Sequence, residues 1–456
     1  MAGRLVVIGG DAGGMAAATA ARRADADLEI VALEKGSWTS YSACGIPYLV
    51  SGAVDDADDL VARSPQQHRD RSRIDVRTGH EVMGIDLAAR RLEVRDHEHD
   101  RTYQLGFDLL HIATGALPIR PDLPGIDSPL VHGVQTLDDG RRLAEDAASA
   151  AVSQVVVVGG GYIGLELAEA FKQRGVKVTV IERGGEVMPS LDPEMGSLVG
   201  GAMQDIGIDV RCGQSATAIE LPAGAGAGTG EVVLAGGERL RADLVVLGLG
   251  VEANSALARD AGVATGMKGA IEVDRRQRAS VEGVYAAGDC CTSFHLLTGE
   301  RVHVALGTVA NRQGRVAGTN IGGGYATFPG VLGTAVSRVC SLEIGRTGLT
   351  EAEADRAGFV VDAAYIESTT RASYYPGAKP IAVKLVADRA SHRLLGGQIV
   401  GRGPGSAKRI DVVAVAIAAG MTAAELLDAD FGYAPPFGPL WDPVQVAARK
   451  LAESSH

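Results

Sequence analysis

"VVVVGGGYIGLELAEAFKQRGVKVTVIE", residues 155–182, reads as strand, glycine turn, helix and strand. The β-branched run 155–158 enters a full GxGxxG made by Gly159, Gly161 and Gly164, and the helix behind it is amphipathic. A second apolar run closes on Glu182. Each part meets a need of a bound dinucleotide. Glycines let the backbone approach a pyrophosphate, the helix N-terminus offers amide donors and a positive dipole end, and the terminal acid accepts from ribose hydroxyls. Tyr162 and Ile163 stand on the turn, and Glu166 on the first rise of the helix. Glu182 accepts from a free 2′-hydroxyl and repels a 2′-phosphate, so NADH is the expected nucleotide; Arg183 beside it keeps NADPH open.

The same pattern opens the chain. "RLVVIGG" is an apolar run into glycine, "GGMAAATAARRA" is small and helix-forming, and "LEIVALEK" ends on Glu34 and Lys35, with Glu34 20 residues after Gly14. Its turn holds Gly9, Gly10, Ala12, Gly13 and Gly14, but Asp11 occupies the middle glycine position. An ionised carboxylate against a phosphate is costly, so Asp11 is expected to point away. Two dinucleotides are therefore expected.

The remaining segments place these units in domains. "LLHIATGALPIRP" (109–121) and "LVVLGLGVEANSAL" (244–257) are strands running into glycine turns at Thr114, Gly115 and Gly250, as in crossovers between two sheets. "GVYAAGDCCTS" (283–293) puts Gly288 and Asp289 on a turn after a strand, and "PAGAGAGTG" (222–230) reads as a surface hairpin loop. From about residue 326 come separated strands and a helix without a nucleotide fingerprint. The expected fold class is α/β, with two Rossmann-like dinucleotide-binding domains and a C-terminal α+β domain.

Composition narrows the function classes. With 456 residues, 61 glycines and 4% aromatics, the chain suits a multidomain nucleotide-binding protein. A net charge of −12 gives no electrostatic reason to expect nucleic acid or an anionic membrane as partner. No apolar run reaches the ~20 residues of a membrane helix and no signal-peptide pattern opens the chain, so a cytoplasmic enzyme is expected. The five cysteines, Cys44, Cys212, Cys290, Cys291 and Cys340, are odd in number and scattered, and no His or Cys spacing suggests a metal.

In this order the pieces resemble the flavoprotein pyridine nucleotide-disulfide oxidoreductases over nearly the whole chain, with "ATG" at 113–115 and "YAAGD" at 285–289 matching short signatures. The resemblance implies one FAD per chain, held by a discontinuous domain of residues 1–117 and 248–325, with Asp289 on the ribityl chain. It also implies an NAD(P)H-binding domain over 118–247, with Tyr162 shielding the nicotinamide pocket and Glu166 near it. Residues 326–456 become an interface domain in a C2 homodimer.

Within that family "SYSACGIPY" resembles the single-cysteine group of coenzyme A-disulfide reductases, persulfide reductases, and NADH oxidases and peroxidases. The dithiol branch is excluded, since Cys44 has no CxxxxC partner and residues 430–456 hold no histidine but His456. Ala12 stands where the oxidases and peroxidases usually carry a histidine. "SYYPGA", with Tyr374 and Tyr375, and "GYAPPF", with Tyr433, resemble the disulfide reductases, which implies that Tyr433 and Tyr375 reach the partner's thiol.

Substrate contacts implied in the same way are Arg23, Ser40, Ala43 and Arg371, while Trp441 stands at the place of a phosphate-binding lysine. That departure speaks against coenzyme A itself. It leaves another small disulfide, a persulfide or polysulfide, or oxygen as acceptor. A ferredoxin reductase-type flavoprotein would share both βαβ units but need neither Cys44 nor Tyr433.

The chemistry follows from the lone sulfur. A single thiolate accepts an electron pair only when its sulfur is already oxidised, as a mixed disulfide with a small thiol or as a sulfenic acid. Electrons from NADH would pass by way of the flavin to that sulfur. Exchange calls for a low-pKa Cys44 and a donor such as the Tyr433 or Tyr375 hydroxyl. Cys290 and Cys291 read as structural.

Overall fold

Two parallel five-stranded sheets repeat one topology in the computed structural model, which describes residues 3–221 and 229–454. Most of the 222–230 stretch lies outside the described residues. The first sheet runs Val284–Ala286, Leu109–Ile112, Arg4–Ile8, Glu29–Leu33, Asp75–Arg77, and the second Asp209–Cys212, Lys177–Glu182, Gln154–Val158, Leu244–Leu247, Val131–His132. In each, the glycine-turn strand sits centrally, where the strand order reverses and a crevice opens at the carboxyl ends. These strands are apolar almost throughout because both faces are covered, one by helices and the other by a three-stranded antiparallel sheet, His80–Asp86, Arg91–Asp96 and Arg101–Gly106 on the first and Ala216–Glu220, Gly230–Leu234 and Arg239–Ala242 on the second.

Register explains the first glycine of each turn. Ile8 pairs with Ile112, so Gly9, at φ +104°, lies against the carbonyl of Ala113, which any Cβ there would overlap. Gly159, at φ +108°, meets the carbonyl of Gly248 in the same way. The Ala12–Ala24 helix is small-sided for a related reason. It packs along the Gly307–Ile321 helix, where a Cβ on Gly314 or Gly318 would overlap the carbonyl oxygens of Gly13 and Ala17. The two expected crossovers pair with each other, Ala116–Pro118 antiparallel to Val251–Ala253.

The C-terminal sheet is antiparallel, ordered Ala335–Val339, Leu342–Gly348, Leu394–Arg402, Pro380–Asp388, Val361–Thr369. Helices Ile410–Ala418, Ala423–Leu427 and Pro443–Ser454 cover one face. The other packs Ile344, Ala382 and Val400 on Val187, Met195 and Val199 around the second parallel sheet.

Within that contact Lys384, 2% exposed, pairs with Asp192 at 3.0 Å and with Glu194 and Glu351. Burial alone would lower its pKa; the three carboxylates outweigh burial and carry it to about 12. Gln398 completes the cluster, accepting from the Asp192 N–H at 2.7 Å and donating to its carboxylate at 2.6 Å. Among the described residues no helix is long and apolar enough to cross a membrane.

Candidate active site

The first crevice is built for a flavin dinucleotide. Glu34 ends its strand with Oε2 accepting from the Gly10 N–H and Oε1 from the Gly36 N–H, each at 2.7 Å, which aims the carboxylate at the ribose position. Lys35 is exposed and ion-paired with Glu81 at 2.6 Å. Thr114 and Gly115 are stapled by Asn254, whose N–H donates to the Gly115 carbonyl at 3.0 Å and whose side-chain amide donates to the Thr114 carbonyl at 3.1 Å. Gly250 leads into that staple at φ +86°.

Asp289 carries an unmet polar group. Its Oδ1 is buried without a hydrogen-bond partner, and burial raises its pKa despite the His303 charge. A row of hydroxyl donors, as on a ribityl chain, matches that orphan acceptor. The turn itself is held by Gln313, which accepts from the Gly288 N–H at 2.9 Å and donates to Ser293 Oγ at 2.8 Å, and by His303, which reaches the Asp289 carbonyl at 2.7 Å. Asp11 lies near the backbone N–H groups of Tyr41 and Ala12. Burial, with the neighbouring Glu34 carboxylate, raises it to about 6.

The second crevice repeats the device. Glu182 accepts from the Gly160 N–H at 2.8 Å and the Gly184 N–H at 2.7 Å, while Arg183 is exposed. Gly164 is forced by the Gly159 carbonyl, but a Cβ on Gly161 meets nothing nearer than 3.6 Å, so no protein contact demands glycine there, and a bare backbone suits the close approach of a pyrophosphate. The Tyr162 hydroxyl is buried and unpartnered, and Ile163 is partly exposed. Glu166, raised by burial, accepts from Ser337 of the C-terminal sheet at 2.6 Å.

Cys44 sits on the single turn Ala43–Gly45 that enters the Ile46–Ser51 helix. A side chain on Gly45 would overlap Leu60, so glycine sets the turn. Arg174 of the second domain donates to the Val50 carbonyl at 3.1 Å, and the helix packs on the Tyr162–Gln173 helix that carries Glu166. The thiol opens to solvent in the single chain, as does Ala43, yet dense protein around the sulfur desolvates it.

That burial, followed by the carboxylates of Glu166 and Asp289, pushes the Cys44 pKa up. The direction is opposite to the low-pKa thiolate expected from sequence. The other thiols differ in setting: Cys290 donates to the Ala287 carbonyl at 3.4 Å and Cys291 to that of Gly288 at 3.3 Å, both buried, as suits structural residues.

The tyrosine loops lie together on the C-terminal domain, joined by the Ala372 N–H to the Pro435 carbonyl at 3.2 Å. Sequence reasoning places Tyr433 and Tyr375 at the partner's thiol. Within one chain Tyr374, 75% exposed, lies beside the Tyr433 hydroxyl and raises its pKa. Tyr375 folds back under Arg371, whose guanidinium lies 5.9 Å from its ring centre and donates to the Pro376 carbonyl at 3.3 Å. Phe437, Leu440, Trp441 and Val415 are also exposed, Phe437 by 78%.

Arg23 is exposed at the end of the Ala12–Ala24 helix, and Ser40 Oγ lies 3.0 Å from His68. Gln313, Asn254, His303 and His68 carry no motif. The one signal for Gln313 was a polar residue on the buried stripe of a helix.

Comparison with known proteins gives the same assignment. Residues 3–314 match the pyridine nucleotide-disulphide oxidoreductase family and residues 334–443 its dimerisation domain. The chain is 39% identical over 98% of both chains to an NAD(P)H sulfur oxidoreductase (CoA-dependent) of Pyrococcus abyssi. It is 36% identical over 98% of both chains to an NADH oxidase of Methanocaldococcus jannaschii. The solved structure of an NAD-dependent persulfide reductase from A. fulgidus superposes with a TM-score of 0.94 at 38% identity, over 99% of this chain and 83% of the other. With its two nucleotide crevices, its lone cysteine turn and these relatives, the chain belongs to the FAD- and NAD(P)H-dependent pyridine nucleotide-disulphide oxidoreductases.

Proposed function

We propose that the enzyme reduces a low-molecular-weight disulfide of the coenzyme A-disulfide type with NADH, through exchange at Cys44. The observation that carries this is the solitude of the thiol. Cys44 is the exposed cysteine of the chain, while Cys290, Cys291 and Cys340 are buried and Cys212 lies on a strand of the other domain. The second sulfur therefore comes from outside. Bound FAD supplies the two-electron relay between nicotinamide and sulfur.

The protein does the rest. Glu34, Asp289 and the glycine turns hold the flavin, and Glu182 orients the NADH ribose. Cys44 attacks the substrate disulfide, so that an S–S bond breaks, a Cys44–S bond forms and one thiolate leaves with a proton; over the cycle NADH, one proton and one disulfide become NAD+ and two thiols. Because burial and two carboxylates oppose the Cys44 thiolate, a hydrogen-bond donor must offset them. The Tyr433–Tyr374 pair on the interface domain of the other protomer in a C2 dimer is suited to this. A reaction that draws on NADH and returns free thiols suits the reducing cytoplasm.

Three domains follow from this reading: residues 1–117 and 248–325 for FAD, 118–247 for NADH, and 326–456 for the interface. A persulfide or polysulfide acceptor is the second reading, favoured by the names of two relatives and by Trp441 in place of a phosphate-binding lysine. Anaerobic assays with coenzyme A disulfide, with polysulfide and with oxygen readmitted separate the cases. Two thiols released per NADH from the disulfide is the expected result. NADH consumed only when oxygen is present overturns the proposal.

A further inference from the structure

Lys384 and Gln398 stand opposite each other on neighbouring strands of the C-terminal sheet, and both are buried. Together with Glu351 they fix Asp192, which is 4% exposed. Gln398 accepts from the Asp192 N–H at 2.7 Å and donates to Oδ2 at 2.6 Å, Lys384 pairs with the same oxygen at 3.0 Å, and the Glu351 N–H donates to Oδ1 at 3.3 Å. Apolar packing holds two units together without direction, and a buried cation is a costly adhesive. A carboxylate held at both oxygens and at its own N–H is instead set in one place.

The wall of the second crevice starts from that place. Asp192 begins the Pro193–Asp205 helix, its carbonyl accepting from the Met195 and Gly196 N–H groups, each at 3.0 Å. A Cβ on Gly196 would overlap the Val187 carbonyl, and one on Gly160 would press on the Val187 side chain at 3.1 Å. The Met188 N–H donates to the Gly160 carbonyl at 2.8 Å, and the Leu191 N–H to the Met188 carbonyl at 2.8 Å. Met188 is buried at φ +56°, a strained position for a methionine that lasts only where its surroundings over-determine it.

Residues 183–191 thus run from Glu182 to Asp192 and are pinned midway to the glycine turn. The pinning residue is Gly160, whose N–H also holds Glu182 Oε2 at 2.8 Å. Printed in contacts, the path from the C-terminal sheet to the acid of the crevice is unbroken: Lys384 and Gln398 hold Asp192, the Asp192 helix start and Met188 hold the segment on Gly160, and Gly160 holds Glu182.

We infer that Lys384 and Gln398 are positioning residues of the NADH site: by fixing Asp192 they keep the 183–191 segment on Gly160, and the glycine turn and Glu182 in the geometry that takes the ADP-ribose half of NADH. Neither residue touches the nucleotide, and no bond is made or broken. Where the segment is in place only part of the time, the apparent Kd rises by the inverse of that fraction. The inference rests on the reading of Glu182 as the ribose acceptor.

The test is calorimetric titration of the oxidised, FAD-loaded protein with ADP-ribose, beside the NADH dependence of flavin reduction. Gln398→Leu removes both hydrogen bonds to Asp192 without changing charge. It is expected to weaken ADP-ribose about tenfold, as for a segment in place about a tenth of the time. The NADH concentration for half-maximal flavin reduction should rise by the same factor, while the rate at saturating NADH stays within about twofold. Lys384→Met should behave alike and keep its effect at about 0.5 M salt, where repulsion of the nucleotide by the freed Asp192, Glu194 and Glu351 carboxylates is screened. The two substitutions together should exceed the larger single effect by no more than about twofold.

Wild-type ADP-ribose affinity in Gln398→Leu, even with a lowered unfolding midpoint, assigns the cluster to cohesion alone and overturns the inference. So does a Lys384→Met effect that disappears with salt, or fully additive effects. If Lys384→Met does not fold, Gln398→Leu decides alone. Glu182→Ala tests the parent reading apart: unchanged ADP-ribose affinity there sinks that reading and this inference with it, whereas weakened binding in Glu182→Ala beside wild-type binding in Gln398→Leu sinks only this one.

Discussion

Glu34 and Glu182 occupy matching places in the two crevices. Each carboxylate is gripped by two backbone N–H groups, one from its own glycine turn, so neither can swing away from the ribose position. Glu182→Ala should therefore lower kcat/KM for NADH by about 10- to 100-fold, the range for hydrogen bonds to a charged group, and raise NADPH use through Arg183. An unchanged NADH to NADPH ratio would show that the ribose is read elsewhere.

Asp11 gives a second prediction at this scale. Its folded pKa of about 6 lies above the ordinary 3.8, so its contribution to stability is complete below pH 3.8 and is lost as pH rises through 6. Asp11→Asn should stabilise the protein by about 2 kcal/mol at pH 8 and hardly at all at pH 4, read from denaturant midpoints.

What was legible here were residues tied to motifs, Gly159 or Glu182 for example. Tyr374 and Tyr375 are neighbours in a turn, and which of the two meets Tyr433 depends on side-chain directions that spacing does not encode. His68 gave no signal, because its meaning lies in a partner 28 residues away.

At the scale of elements the first nucleotide site depends on two helices in backbone contact. A β-branched side chain at Gly318 would strike the Ala17 carbonyl, which has no room to yield. Gly318→Val should cost at least about 2 kcal/mol and strip FAD from the folded protein, seen as lost yellow colour. Full flavin retention would mean that the helices slide apart without consequence.

His111 lies in the Leu109–Ile112 strand beside the central strand of the first parallel sheet, fully buried, with both ring nitrogens unpartnered. Burial depresses its pKa to about 4. Because the unfolded chain takes up a proton near pH 6.5 and the folded one near 4, stability is complete above 6.5 and declines by about 3 kcal/mol as pH falls to 4. His111→Leu should flatten the unfolding midpoint over that window, and an unchanged slope would assign the acid loss to other groups.

Both βαβ units were readable because strand, turn, helix and acid each repeat a local rule. The Gly307–Ile321 helix carries no such motif, and its Gly314 and Gly318, poor helix formers in themselves, make sense only against the facing helix.

In the whole molecule the C-terminal sheet locks onto the unit of the second parallel sheet through Lys384. Lys384→Met leaves Asp192, Glu194 and Glu351 without their cation and should cost about 3 kcal/mol, since two of those carboxylates are partly in water. A wild-type melting curve would show that the apolar contact alone holds the domains. This lock was invisible in sequence, its members being up to 206 residues apart (Asp192 to Gln398).

The exposed face around Phe437 and Trp441 and the Tyr433–Tyr374 pair fit a dimer with shared sites. Cys44→Ser and Tyr433→Phe chains, each impaired alone, should regain activity on mixing, because one heterodimer site joins intact Cys44 to intact Tyr433. Exchange of subunits without recovered activity would place Tyr433 on its own chain's site or outside the exchange step.

The most direct test of the account compares wild type with Cys44→Ser in anaerobic NADH oxidation, with and without the added disulfide. Cys44→Ser should keep FAD and its reduction by one NADH but lose at least about a thousandfold of disulfide turnover, since hydride transfer needs only the cofactors while exchange needs the sulfur. Disulfide-dependent turnover at the wild-type rate in Cys44→Ser would contradict the account.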